Sequence, residues 1–138
     1  MPVALNPYLH FNGGKATEAM EFYKHVFGGK LTIKHYGEFG TQASDVDKAL
    51  VMHSVLETDE LQLMASDSGP MGDGIVGDNV SMSLTGDDEA ALSHYFEGLS
   101  ADGTVTVPLA KQPWGDTFGM CTDKFGVHWM VNISAAKS

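Results

Sequence analysis

Residues 6–36, NPYLHFNGGKATEAMEFYKHVFGGKLTIKHY, decide the fold. Within them Ala16, Ala19, Met20, Tyr23, Val26 and Phe27 recur at helical spacing, so residues 15–27 form an amphipathic helix. Gly28-Gly29 ends it. Residues 4–12 before it (ALNPYLHFN) alternate apolar and polar side chains, as does KLTIKHY after it. Period-two alternation is the mark of a half-buried strand. The stretch therefore reads strand, helix, strand.

Working outward, two more strand-like runs follow, ALVMHSVLE at 49–57 and ELQLMAS at 60–66, with a polar loop from Gly37 to Lys48 before them. The same order then returns. NVSMSLT at 79–85 precedes a second helix, DDEAALSHYFEGLS at 87–100, with Leu92, Tyr95, Phe96 and Leu99 on one stripe. The acids Asp87, Asp88 and Glu89 suit the positive end of its dipole, and Asp102-Gly103 closes it as a turn. GTVTVPLA, DTFGMCT and VHWMVNI complete the copy. A βαβββ unit thus occurs twice, a strong organisational signal even without residue identity. The expected class is α+β. Module one spans about residues 4–66, a glycine-rich linker 67–79, and module two about 80–133.

Alternation also assigns faces. Leu5, Pro7, Leu9 and Phe11 oppose Asn6, Tyr8, His10 and Asn12. Val80, Met82 and Leu84 oppose Ser81 and Ser83, while Val127, Trp129, Val131 and Ile133 oppose His128, Met130 and Asn132. The apolar set of each strand should meet a helix. The other set suits either a moderately polar cavity or a solvent-facing sheet.

Composition bounds the function. The chain of 138 residues carries 18 acids against 8 bases, a formal charge of −10, and no arginine. That balance disfavours nonspecific binding to nucleic acid or anionic lipid, both of which need clustered bases. No window approaches a membrane span, and the start MPVALNPYLH has no basic segment before an apolar run. Cys121 stands alone, so no internal disulfide forms and a cytoplasmic protein is expected. Its neighbours supply only Lys124 to activate a thiolate, which favours a structural role. The acids concentrate at Asp45–Asp47, Asp67–Asp78 and Asp87–Glu89, which reads as a solvated rim. There is no GxGxxG after a strand and no P-loop, so neither a nucleotide nor S-adenosylmethionine is supported as a cofactor.

The paired βαβββ plan, with NPYLHFNGGKATEAMEFYKHVFGGKL, VMHSVLETDELQLMASDS and WGDTFGMCTDKFGVHWMVNI, resembles the PhnB-like branch of the vicinal oxygen chelate superfamily. This superfamily includes glyoxalases, extradiol dioxygenases and the fosfomycin and bleomycin resistance proteins. The resemblance implies an eight-stranded, cup-shaped mixed sheet with helices on its outer face, a homodimer, and a small-molecule ligand inside the cup. Its enzymes hold a divalent metal through His, Gln or Glu on the first and last strand of each module. Those positions fall here at Tyr8, Met64, Ser81 and Met130. Neutral hydroxyls and thioethers are poor ligands for hard or borderline cations, so no metal and no cofactor are expected.

The expected ligand site is accordingly Tyr8, His10, Met64, Ser81, Ser83 and Met130, with Trp114 at the mouth. Trp114 suits stacking on a ligand equally with packing. No residue is assigned a catalytic role. By analogy with sequestration in the bleomycin-resistance relatives, the acidic balance suits a cationic ligand. The alternative is a metal-dependent lyase, isomerase or dioxygenase using a displaced set, His10, His53, Gln62 and His128. A metal-free enzyme with His10 or His53 as base is a third reading. His53 shares parity with Val51 and Val55, which favours a buried structural histidine; His25, His35 and His94 are expected at the surface.

Overall fold

The computed structural model describes residues 3–39, 48–68 and 74–135. The core of the loop expected at Gly37–Lys48, and Gly69, Pro70 and Gly72 of the expected linker, lie outside the described residues. The first unit contains β1 (Tyr8–Phe11), α1 (Ala16–Phe27), β2 (Lys30–His35), β3 (Val51–Glu57) and β4 (Gln62–Asp67). The second contains β5 (Met82–Gly86), α2 (Glu89–Ser100), β6 (Thr104–Lys111), β7 (Thr117–Thr122) and β8 (His128–Ile133). The chain divides between them at Ile75 and Val76.

All six stripe residues of α1 are buried, against β2, β3 and β4. On α2, Leu92, Phe96 and Leu99 are buried, and Tyr95 is half-buried at the edge of the stripe. Asp88 is the N-cap of α2, its carboxylate accepting from Ala91 N at 3.0 Å. That satisfies one of the donors a helix start leaves unpaired. Lys15 begins α1 without such a side-chain cap. The helix takes its partner from another strand.

That partner is Asp67. Its Oδ1 accepts from Ala16 N at 2.9 Å and its Oδ2 from Val51 N at 2.8 Å. Asp67 is only 4% exposed and is the last residue of β4. Placing it with the solvated acids of the rim is therefore wrong. A carboxylate that joins a helix start to a distant strand belongs to the core, because buried amides need acceptors.

The expected single cup-shaped sheet does not form. The strands make two separate four-stranded mixed sheets, ordered β1-β4-β3-β2 and β5-β8-β7-β6. In each, the first and last strands of the module pair in parallel and the other neighbours are antiparallel. Alternation says which side of a strand is apolar but not which edges pair. Here each βαβββ copy completes its own sheet. The helices lie on one face of their own sheets, as expected.

The two copies align through one shared bond. Ser68 N donates to Phe11 O at 2.9 Å, and Ser134 N donates to Gly86 O at 2.7 Å. Phe11 thus corresponds to Gly86, and Tyr8 to Ser83. Two strand starts are shorter than alternation suggests. Leu5, 99% exposed, and Val80 precede their strands and meet no helix. Pro7 lies at the first of these boundaries and has no N–H to pair.

Candidate functional site

In the first unit the register puts Tyr8 opposite Met64 and His10 opposite Ser66 across the parallel β1–β4 pair. Val55 faces Met64 across β3–β4, while Thr32 faces Val55 and Lys34 faces His53 across β2–β3. Cross-strand partners share a face. One side of this sheet therefore carries Tyr8, His10, His53, Val55, Met64 and Ser66, opposite the side that α1 covers.

His53 reaches that face because of a bulge. Lys34 pairs with His53, but the next residue of β2, His35, pairs with Val51, so Met52 is the extra residue. An extra residue reverses parity beyond it. Val51 turns inward, 1% exposed, where its amide meets Asp67. His53 stays half-buried on the open face. Grouping it with Val51 as a buried structural histidine is corrected by this bulge.

The polar groups of the face are already oriented. The Tyr8 hydroxyl lies 3.1 Å from His53 Nδ1, and Ser66 Oγ lies 3.3 Å from His10 Nδ1. Tyr8 sits beside both imidazoles, with ring centroids 5.2 Å from His10 and 5.6 Å from His53. The rings of Tyr8 and His53 are stacked at 28°. Each histidine thus has Nδ1 engaged by a hydroxyl, leaving Nε2 as the nitrogen for a ligand. Tyr8 remains 39% exposed.

In the second unit Ser83 faces Met130, with Met120 beyond Met130 on β7. Thr122 Oγ1 lies 2.9 Å from His128 Nδ1. Ser81 precedes β5 by one residue, so Ser83 and not Ser81 corresponds to Tyr8. Trp114, 65% exposed, sits in the β6–β7 turn with its ring 6.5 Å from Phe118. Asp116, next to it, accepts from Asn132 Nδ2 and Ala135 N, and these donors hold its carboxyl below the ordinary value. Asp123 closes its turn as expected, accepting from Phe125 N and Val127 N. It also accepts from Trp129 Nε1 at 2.8 Å. Cys121 is buried, and that burial, with the Asp123 charge behind it, pushes its thiol up to about 11. It is no nucleophile at neutral pH.

These residues do not fit a metal. The equivalent positions offer a tyrosine engaged with His53, a serine and two thioethers. Among the described residues no three His, Cys, Asp or Glu side chains are grouped to hold an ion. Of the displaced set, His10, His53 and Gln62 lie on the face of the first sheet, and His128 belongs to the second unit.

The family model described as 3-demethylubiquinone-9 3-methyltransferase matches residues 4–132. The chain belongs to that family. A crystal structure of protein PA1353 from Pseudomonas aeruginosa is 31% identical, covering 96% of this chain and 100% of its own, with a TM-score of 0.78. A Bacillus cereus structure described as a putative 3-demethylubiquinone-9 3-methyltransferase, PhnB protein, is 27% identical over 96% and 100%, with a TM-score of 0.75. Protein YjdN of Escherichia coli is 27% identical over 94% of each chain. The chain is a PhnB-like member of the vicinal oxygen chelate superfamily, as its motifs imply.

The family description implies a methyl donor, and the residues here do not fit one. S-adenosylmethionine carries a carboxylate that a helix N-terminus after the first strand could hold. In this chain the first amide of α1 is already taken by Asp67.

Proposed function

We propose that this protein binds a small organic molecule on the open face of the β1-β4-β3-β2 sheet, without a catalytic metal. The observation that carries the reading is the hydrogen-bonded Tyr8–His53 pair beside His10, over an apolar floor of Met64 and Val55. Binding sites combine an apolar lining with a few oriented polar groups. Methionine adds an adaptable surface. Of the expected site residues, Tyr8, His10 and Met64 carry this role, and Ser83 with Met130 forms the corresponding patch of the second unit.

A homodimer in the cytoplasm completes the proposal. The exposed Val3, Leu5, Ile75, Val76, Val80 and Trp114 support association. The free, buried Cys121 suits a reducing compartment. Sedimentation that gives a monomer at micromolar concentration removes the dimer.

Binding is tested by saturation-transfer NMR with a library of small aromatic compounds. Compounds that bind the wild type and lose contact in Tyr8→Ala support the reading. An absence of binders, or binders indifferent to Tyr8→Ala and Met64→Ala, overturns it. Metal analysis of protein purified without chelator provides the other arm. A stoichiometric transition metal that is lost in His10→Ala would replace this proposal with the metal-dependent one.

A further inference from the structure

The open face of the first sheet has an electrostatic character opposite to that of the whole chain. At one end of the face His10 on β1 faces Ser66 on β4, and His53 on β3 faces Lys34 on β2. The row beside it is Tyr8, Met64, Val55 and Thr32. The third holds Gln62, Glu57 and Lys30. Basic groups therefore line one edge of an apolar strip. Glu57, four residues along β3 from His53, lies on the far side of that strip, roughly 13 Å away at strand spacing.

We infer that the ligand of this face is a small amphipathic anion. Its carboxylate or other oxyanion head meets His53 and Lys34, which face each other across β2–β3, and its apolar body lies on Tyr8, Met64 and Val55. The inference rests on the proposed binding role of this face and names its ligand class. It runs against the expectation from net charge, because a charge of −10 spread over a surface does not determine the local field. His53 and Lys34 stand on neighbouring strands, roughly 5 Å apart, so one oxyanion can reach both.

The hydroxyl partners of the two histidines are versatile. A hydroxyl either donates to a neutral imidazole nitrogen or accepts from a protonated one. Tyr8 and Ser66 therefore tolerate both states of His53 and His10, where a backbone amide or an ammonium would permit only the neutral state. The other charged groups of the face are Lys30, which pairs with Glu57 across β2–β3, and Glu57 itself. Glu38, just after β2, is held below its ordinary value chiefly by the His35 amide, with Lys34 also contributing. Among the described residues it is the acid set to compete for Lys34.

The test uses three probes of one shape: benzoate, neutral benzamide and cationic benzylamine. Affinity and histidine ring chemical shifts are followed by NMR on the full chain. The expected result is benzoate binding that shifts the His53 ring signals, with benzamide and benzylamine binding at least about tenfold more weakly. His53→Gln and Lys34→Gln should each lower benzoate affinity by about tenfold or more, the effect of losing one charge-assisted hydrogen bond. Lys24→Gln, which removes a positive charge from α1, should leave it unchanged. Unaltered amide spectra establish that the variants fold.

Benzamide or benzylamine binding the face as well as benzoate does overturns the anion class while leaving small-molecule binding intact. Benzoate binding that is indifferent to the His53 and Lys34 variants also overturns it. If no probe shifts the Tyr8, His10 or His53 signals, the anion class is refuted for ligands of this shape. The library screen then decides the binding role independently.

Discussion

Replacing Asp67 by alanine should loosen the first unit more than any change on its open face. The side chain is buried, and its two oxygens accept from Ala16 N at 2.9 Å and Val51 N at 2.8 Å. A hydrogen bond to a charged group contributes about 1.5–3 kcal/mol, and a buried donor left unpaired carries a comparable penalty. Both amides lose their acceptor together, and α1 has no side-chain cap at Lys15 to replace it. The expected loss is about 3–5 kcal/mol. With a urea dependence near 2 kcal/mol per molar, the midpoint falls by roughly 1.5–2.5 M. Asp67→Asn keeps one acceptor but turns an N–H2 toward the other amide, so its loss should be intermediate. Circular dichroism in urea measures the stability, and amide exchange at Ala16 and Val51 locates the effect. A loss below about 1 kcal/mol in Asp67→Ala, with both amides still protected, would refute this account of how the helix starts.

The remaining predictions concern the second unit. Trp129→Phe removes the indole N–H that Asp123 accepts at 2.8 Å and should cost about 1–3 kcal/mol, measured by the same denaturation. A loss beyond that in the Asp123→Ala background would show that the pair is not the source. Cys121 should react with a thiol reagent at pH 8 only as fast as the protein opens, since burial pushes its thiol up to about 11. Rapid labelling of the native protein would contradict this. Because Asn132 and Ala135 hold the Asp116 carboxyl below its ordinary value, its contribution is present above the unfolded carboxylate range. It is lost as pH falls through the lowered folded value. Asn132→Ala should move the Asp116 NMR titration upward; no movement would discount the Asn132 contact.

Helices and strands of both modules are legible from residue spacing because their causes are local. The stripe from Ala16 to Phe27 is the buried face of α1. The alternation of VHWMVNI is the alternation of β8, with Trp129, Val131 and Ile133 inward. Asp67 was misplaced because its partners stand 51 and 16 residues away. The one available signal was negative, a helix beginning at Lys15 without Ser, Thr, Asp or Asn to cap it. His53 shares its face with Val55 but not with Val51, because parity holds only while the ladder is unbroken, and the extra residue at Met52 breaks it.

By itself, the sequence determined the repeated βαβββ order, the apolar side of the strands whose ladders are unbroken and the family motifs. These depend on short-range periodicity, which every chain of that pattern must satisfy to bury its apolar groups. Only the tertiary structure decided which strand edges pair, giving two four-stranded sheets in place of one cup. It likewise decided that Tyr8, His10, His53 and Lys34 share one face. Pairing and register are set by backbone groups that every residue carries alike, so side-chain pattern constrains them only where a bulge, a cap or a buried carboxylate breaks the symmetry.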